Sequence, residues 1–304
     1  MRRSSFSPEP DCAIAQSLAV VGDGWELLIV RDLARGLDRF DLLAESLRIS
    51  RKVLTERLGG LMDSGVVERT AYQERPTRYA YQLTARGRAL LPVLVALQDW
   101  GDRWVLGDGQ LTGTNAESEP TAHRLHELVG AAVPAGLLLP ATGGDGPPES
   151  VDVVDGQAKA TVLFGYPATG RPTPLPAGWS EIAGAHGCTL ENRLFAERYD
   201  EFRAGGIAVH GVSTQRPEEQ AAFAEAEKIP HVLLSDVELQ LAAALRLPTF
   251  RAGGVGRLKR FVLVVGADRV VRAVRYPVTD LADAVNWAFT TASDQAGGGA
   301  ERRG

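Results

Sequence analysis

Leu47-Arg48-Ile49-Ser50-Arg51-Lys52-Val53-Leu54-Thr55-Glu56-Arg57-Leu58 is the stretch whose reading decides the fold of the first hundred residues. Ile49 and Ser50 form a tight turn. Ser50 is suited to cap the next helix, because a serine hydroxyl satisfies an amide that the first turn leaves unpaired. Val53, Leu54, Leu58 and Leu61 then recur at helical spacing until Gly65 stops the helix. Upstream, Phe40, Leu43 and Leu47 mark a short helix. Before it, Trp25, Leu28, Ile29 and Leu33 mark another, set off from the apolar run 13–21 by Gly22-Asp23-Gly24. Downstream, the alternating segments Val66–Tyr72 and Arg78–Leu83 flank Glu74-Arg75-Pro76-Thr77 and read as a β-hairpin. This is the pattern of a mainly α winged helix-turn-helix, whose second helix enters the DNA major groove. A last helix over 86–105, with Pro92 near its first turn, sets Leu90, Leu94, Leu97, Trp100 and Trp104 along one stripe.

The candidate reading helix spans 51–64. Ser50, Arg51 and Lys52 lie at its N-terminal end, and Thr55 and Arg57 extend its polar face; Arg69, Arg75 and Arg78 on the hairpin can reach flanking phosphates. By spacing alone the same charges serve equally as solubilising groups on a small helical domain. Residues 1–106 carry 15 Lys and Arg against 14 Asp and Glu, and the rest 18 against 24, within a net charge of −5. Any contact to double-stranded DNA must therefore come from a local cluster.

With 304 residues, 44% hydrophobic and 23% charged, the chain has the profile of two soluble domains. No apolar run approaches the ~20 residues of a membrane span, and the first ten residues lack the apolar core of a secretory signal. Two cysteines, Cys12 and Cys188, are too few for a disulfide scaffold and fit a reducing cytoplasm. The five histidines show no metal-ligand spacing. Gly253-Gly254-Val255-Gly256 precedes a strand and reads as a turn, so no cofactor is expected.

After a Gly-, Thr- and Ser-rich linker, strands and helices alternate. Strands are expected over Ala160–Tyr166, Ile207–Val212 and Val232–Leu234, a closing hairpin over Phe261–Val265 and Val270–Tyr276, and helices over Leu190–Arg203, Pro217–Lys228, Glu238–Leu245 and Asp280–Phe289. Runs of Val, Leu and Ile in that order imply a buried α/β sheet covered on both faces. The expected organisation is 1–106 for the DNA-reading domain, 107–120 for the linker, 121–290 for the α/β domain and 291–304 for a disordered tail. Cys188 follows Gly187 and opens a helix, with His186, Lys259 and Arg260 as cationic neighbours that would lower its pKa. A lone buried cysteine is the alternative. Cys12 sits in the short apolar segment, where a thiolate is disfavoured.

Residues 11–105 resemble the HxlR-type winged-helix regulators. Cys12, Val21 through Leu33, Arg39-Phe40, Leu47 through Leu58, Gly65-Val66-Val67, Tyr79 through Thr84 and Trp100-Gly101 carry the resemblance. It implies DNA binding as a homodimer paired through the terminal helices, with Cys12 at the place of a redox switch. Residues 121–290 resemble the peroxiredoxins of the AhpC/TSA family, on a thioredoxin-like fold. Here the match lies in Val162 through Pro167, Gly187 through Glu191, Phe195, Tyr199, Phe202, Gly211 through Gln215, Leu233 through Asp236, Leu247 through Phe250 and Lys259-Arg260-Phe261. This second resemblance implies that Cys188 attacks peroxide and that Arg260 stabilises its thiolate.

Three positions depart from that family. Ala185 stands where Thr or Ser holds the peroxide, Glu181 where a proline is usual, and Arg193 where one subgroup has its resolving cysteine. Tyr166-Pro167 supplies the proline from across an inserted loop. Three functions stay open: a regulator switched by Cys188 oxidation, a one-cysteine peroxidase tethered to DNA and served by an external thiol reductant, and a regulator whose α/β domain serves assembly alone. In the first, Cys12 can capture oxidised Cys188 or leave it unresolved.

Overall fold

The computed structural model describes residues 8–109, 120–142, 150–170, 174–182 and 184–298. The chain divides into two compact units, 1–94 and 95–304. This division falls inside the helix Leu91–Trp104. Most of the expected linker lies outside the described residues.

The first unit begins with α1 (Ala13–Val21), α2 (Gly24–Ala34), α3 (Phe40–Leu47) and α4 (Arg51–Asp63). Each start has a local cause. Asp23 accepts from the Trp25 amide at 3.0 Å while its own amide donates to Glu26 Oε2 at 3.3 Å, a reciprocal cap. Ser50 Oγ accepts from the Val53 amide at 3.3 Å and starts α4 where the sequence places it. Ile29, Val30, Leu43, Leu54, Leu58 and Leu61 close the core. The buried Asp32 carboxylate is satisfied by Arg31, Arg35 and the Ser46 hydroxyl. Strands β1 (Val67–Glu74) and β2 (Thr77–Leu83) pair antiparallel from Val67↔Leu83. In place of one helix over 86–105, Ala85–Arg88 forms α5 and Leu91–Trp104 forms α6, with Pro92 in the first turn of α6, where its missing N–H costs nothing.

The second unit continues with α7 (Pro120–His126), β3 (Leu138–Thr142), β4 (Ser150–Asp152), β5 (Ala160–Gly165), α8 (Cys188–Glu197), α9 (Tyr199–Ala204), β6 (Ile207–Ser213), α10 (Pro217–Glu227), β7 (Val232–Ser235) and α11 (Gln240–Leu245). It ends with β8 (Thr249–Ala252), β9 (Val255–Leu258), β10 (Phe261–Gly266), β11 (Val271–Arg275) and α12 (Leu281–Gly298). The sheet runs β11-β10-β5-β6-β7-β3-β4, with β5, β6 and β7 parallel and β10 antiparallel to β5, a thioredoxin-like order. Every residue of β5 is buried, so both faces of the strand are covered. The helix expected over 190–203 is two, broken at Arg198, and it starts two residues earlier, at Cys188. α12 continues to Gly298, beyond 291, where a disordered tail is expected; residues 299–304 lie outside the described residues. Pairs β3–β4 and β8–β9 have no counterpart among the expected elements. Gly253-Gly254 is the turn between β8 and β9, as its sequence suggests.

One contact in this core positions the chemistry. Gly211 on β6 pairs with Phe164 on β5, and a Cβ at Gly211 would lie 2.7 Å from Phe164 Cζ and 2.9 Å from Leu233 Cδ2. The space it leaves seats the Phe164 ring, which stacks on Phe195 of α8 at 4.1 Å between centroids. Gly211→Ala therefore overpacks the layer that holds α8. The expected cost in chemical denaturation is about 1–3 kcal/mol, with slower alkylation of Cys188; a neutral change would show that the layer has slack.

Candidate functional site

The reading helix exposes part of the expected cation set. Lys52, Arg75 and Arg78 are exposed. Arg51 is exposed but engaged: its Nη1 donates to Asp41 Oδ1 at 2.7 Å, and its guanidinium lies 4.9 Å from the Phe40 ring centroid. Thr55 Oγ1 donates back to the Arg51 carbonyl at 2.8 Å. Arg57, expected on the open polar face, is half-buried and paired with Asp23 at 2.7 Å. It ties α4 to the cap of α2, because position 57 turns toward α2 rather than toward solvent. Arg69 lies over Tyr79, 4.2 Å from the ring centroid.

The apolar stripe on α6 differs in detail from the sequence pattern. Leu90 and Leu94 are half-buried. Val93, Leu97, Trp100 and Trp104 are exposed at steps of four, three and four residues, Trp100 at 58% and Trp104 at 57%. Ile14 and Leu18 on α1 are exposed as well. The far end of α6 is held within the second unit. Asp102 accepts both ends of the Arg124 guanidinium at 2.7 and 2.6 Å, and Gln98 Nε2 donates to the Leu247 carbonyl at 2.9 Å.

Cys12 is not inside α1 but caps it, its Sγ accepting from the Ala15 amide at 3.4 Å. The thiol thus sits at the N-terminal end of α1 rather than within it, because the helix begins one residue later.

Cys188 is the first residue of α8. Gly187 before it has φ +96°, and a Cβ there would lie 2.9 Å from Leu281, so this approach requires glycine. Arg260, just before β10, donates through Nη2 to Cys188 Sγ at 3.5 Å and to the His186 carbonyl at 2.8 Å. Its Nη1 forms a buried ion pair with Glu191. The sequence-predicted pair Cys188 and Arg260 is thus brought together. His186 takes part through its carbonyl, and its side chain is exposed. Arg193 lies on the surface, its Nε donating to Glu227 Oε2 at 2.7 Å.

The electrostatics run against the expected direction. Burial raises the Cys188 pKa above that of an ordinary thiol. Arg260 and a backbone hydrogen bond at Ala168 pull it down, and Glu191 pushes it further up. The helix position and the cation were legible; the desolvation that outweighs them was not. Burial also pushes Glu191 up to about 7 against the pull of Arg260, and Glu191 Oε1 has no hydrogen-bond partner.

Two further groups brace the site. Asn192 Nδ2 donates to the Cys188 carbonyl at 2.8 Å, and Asn192 Oδ1 accepts from His231 Nε2 at 3.2 Å. Burial holds His231 down at about 3, so its ring is neutral. Residue spacing gave no signal for this contact, 39 positions apart. Among the described residues no group of His, Cys, Asp and Glu could hold a metal, and no single helix is long and apolar enough to cross a membrane.

Comparison with known proteins matches residues 20–108 to the HxlR-like helix-turn-helix family and residues 180–274 to the AhpC/TSA family. An HTH-type transcriptional regulator of Mycobacterium tuberculosis is 39% identical over 93 residues, 31% of this chain and 59% of that one. The chain thus spans less than two thirds of that relative. YvaP of Bacillus subtilis, named as an HTH-type transcriptional regulator, is 35% identical over 106 residues, 34% of this chain and 94% of its own length. Among solved structures, peroxidoxin BcpB of Mycobacterium tuberculosis is 27% identical with a TM-score of 0.43, over 55% of this chain and 96% of that one. The chain belongs to the HxlR-like helix-turn-helix family of transcriptional regulators and carries, in addition, a peroxiredoxin-like domain of the AhpC/TSA family.

Proposed function

We propose that the protein is a transcriptional regulator whose affinity for double-stranded DNA depends on the oxidation state of Cys188. The observation that carries this reading is the Arg260 guanidinium on Cys188 Sγ at 3.5 Å, in a chain that begins with an HxlR-like reading domain. In the proposed step the thiolate attacks a peroxide oxygen. An S–O bond forms, the O–O bond breaks, and the leaving hydroxide or alkoxide takes up a proton, giving sulfenic acid. Arg260 holds the charge on sulfur and the developing charge on the leaving oxygen.

A raised thiol pKa suits an infrequent signalling event better than turnover, for which a ready thiolate and a reductant are needed. Position 193 carries no thiol to resolve the product. Sulfenic Cys188 therefore persists, is reduced by an external thiol, or condenses with Cys12 of the same or another copy with loss of water.

On the DNA side, Ser50, Arg51, Lys52 and Thr55 open the reading helix, and Arg75 and Arg78 lie on the wing. Arg57 is reassigned from reader to brace. The exposed stripe on α6 is the proposed homodimer contact, since four large apolar side chains in line are poorly suited to water.

The test of the DNA reading is fluorescence anisotropy on operator-containing DNA. Arg51→Ala with Lys52→Ala should weaken binding by about 1–3 kcal/mol if Arg51 reads a base. Leu97→Asp should weaken it too and yield monomers in sedimentation. Unchanged affinity in the first variant would contradict the assignment of the reader.

The test of the switch is DNA affinity before and after stoichiometric peroxide in wild type, Cys188→Ser and Cys12→Ser. Loss of the response in Cys188→Ser alone means sulfenic Cys188 suffices; loss in both variants means a Cys12–Cys188 disulfide is required. A wild-type affinity that ignores peroxide rejects the sensor.

Because Cys188 is pushed up, its thiolate fraction at neutral pH is small and grows as pH rises. Alkylation of Cys188 by iodoacetamide should therefore accelerate from about pH 7 to about pH 9. Glu191→Gln, which removes a negative charge that disfavours the thiolate, should speed alkylation at neutral pH. A flat profile, or slower alkylation in Glu191→Gln, would refute the assigned electrostatics.

A further inference from the structure

The first unit holds a cleft of about 450 Å3 between the start of α3, the start of α4 and the hairpin. That volume falls in the range of small-molecule sites. Three guanidinium groups line it, Arg39, Arg51 and Arg78, together with the rings of Phe40, Tyr72 and Tyr79. Arg39 lies 4.9 Å from the Tyr72 ring centroid, and Arg51 lies 4.9 Å from that of Phe40. A guanidinium in cation–π contact with a ring keeps N–H donors that can meet a carboxylate with two hydrogen bonds. Among the described residues Asp41 is the only carboxylate lining the cleft, and Arg51 already engages it at 2.7 Å. The excess of cations calls for an anion, and the aromatic walls call for a flat apolar body.

We propose that this cleft binds a planar aromatic carboxylate of one or two rings, and that the bound ligand draws Arg51 away from DNA. A phosphodiester of the DNA backbone is the competing occupant. It would use the guanidinium groups but offer no flat apolar face to the exposed Tyr72 ring, which favours the aromatic acid. The site itself stands independently of DNA binding; its effect on DNA rests on the reading of Arg51 given above.

The test is calorimetric titration of the full-length protein with 2-naphthoate, 2-naphthamide and inorganic phosphate. Saturable binding of 2-naphthoate, one per chain and about tenfold or more tighter than either control, is expected. Tyr72→Ala and Arg39→Gln, both at exposed positions, should each weaken it by about tenfold, and saturating 2-naphthoate should raise the Kd for DNA. Three results overturn the proposal: no saturable binding, equal binding of the amide, or indifference to both variants. Phosphate binding as tight as 2-naphthoate also overturns it, in favour of a DNA-backbone groove. Binding that Tyr72→Ala abolishes, in a protein that binds no DNA, supports the site and rejects the DNA reading alone.

Discussion

The buried guanidinium of Arg260 is shared among the Cys188 sulfur, the His186 carbonyl and the Glu191 carboxyl. A cation taken out of water needs such partners, since leaving it unpaired costs several kcal/mol. Because the loop before α8 and the first turn of α8 supply them, the guanidinium fixes these two segments against the start of β10. The same sharing divides its charge. Glu191 claims part of it, so less remains for the sulfur, and burial then leaves Cys188 a neutral thiol at rest. Burial likewise pushes the Glu191 carboxyl up, against the pull of the same cation. The reactivity of the thiol is therefore set by how a carboxyl and a sulfur compete for one cation.

Around that centre the packing is specific rather than merely apolar. The missing side chain of Gly211 admits Phe164, Phe164 supports Phe195, and Asn192, held by neutral His231, ties down the carbonyl of Cys188. Each link acts on α8, the helix that begins with Cys188. In the reading unit the corresponding constraint is the Asp23 carboxylate. It caps α2 and pairs with Arg57, and so fixes the reading helix against its neighbour. Helix α6 contributes residues to both units, and its Asp102 is clamped by Arg124.

Much of this was legible in the sequence. Helical spacing and the Ser50 cap located α4 to within one residue, since local hydrogen bonding decides a helix start. Continuous apolar runs located β5, β6, β10 and β11. Arg260 was one of three candidate cationic neighbours of Cys188 from the residues alone, and the family resemblance singled it out. What escaped depends on tertiary contact or solvent access. The Arg57–Asp23 pair, the His231–Asn192 brace and the raised pKa of Cys188 arise from packing that no local pattern encodes. Strands β8 and β9 have four residues each, too short for a periodic signal, and β3 carries Pro140, a residue that argues against a strand. The placement of Cys12 turned on one residue at a helix boundary, the least certain feature of any sequence reading.

The central claim is that chemistry at Cys188 is what changes DNA binding. Rapid mixing of the DNA-bound protein with peroxide, followed both by DNA anisotropy and by quenched-flow mass measurement of Cys188, tests it most directly. Release of DNA should track, or follow after a fixed delay, the formation of sulfenic Cys188, and both rates should rise together with pH as the thiolate fraction grows. DNA release with Cys188 still reduced, or full oxidation of Cys188 with DNA still bound, would contradict the account.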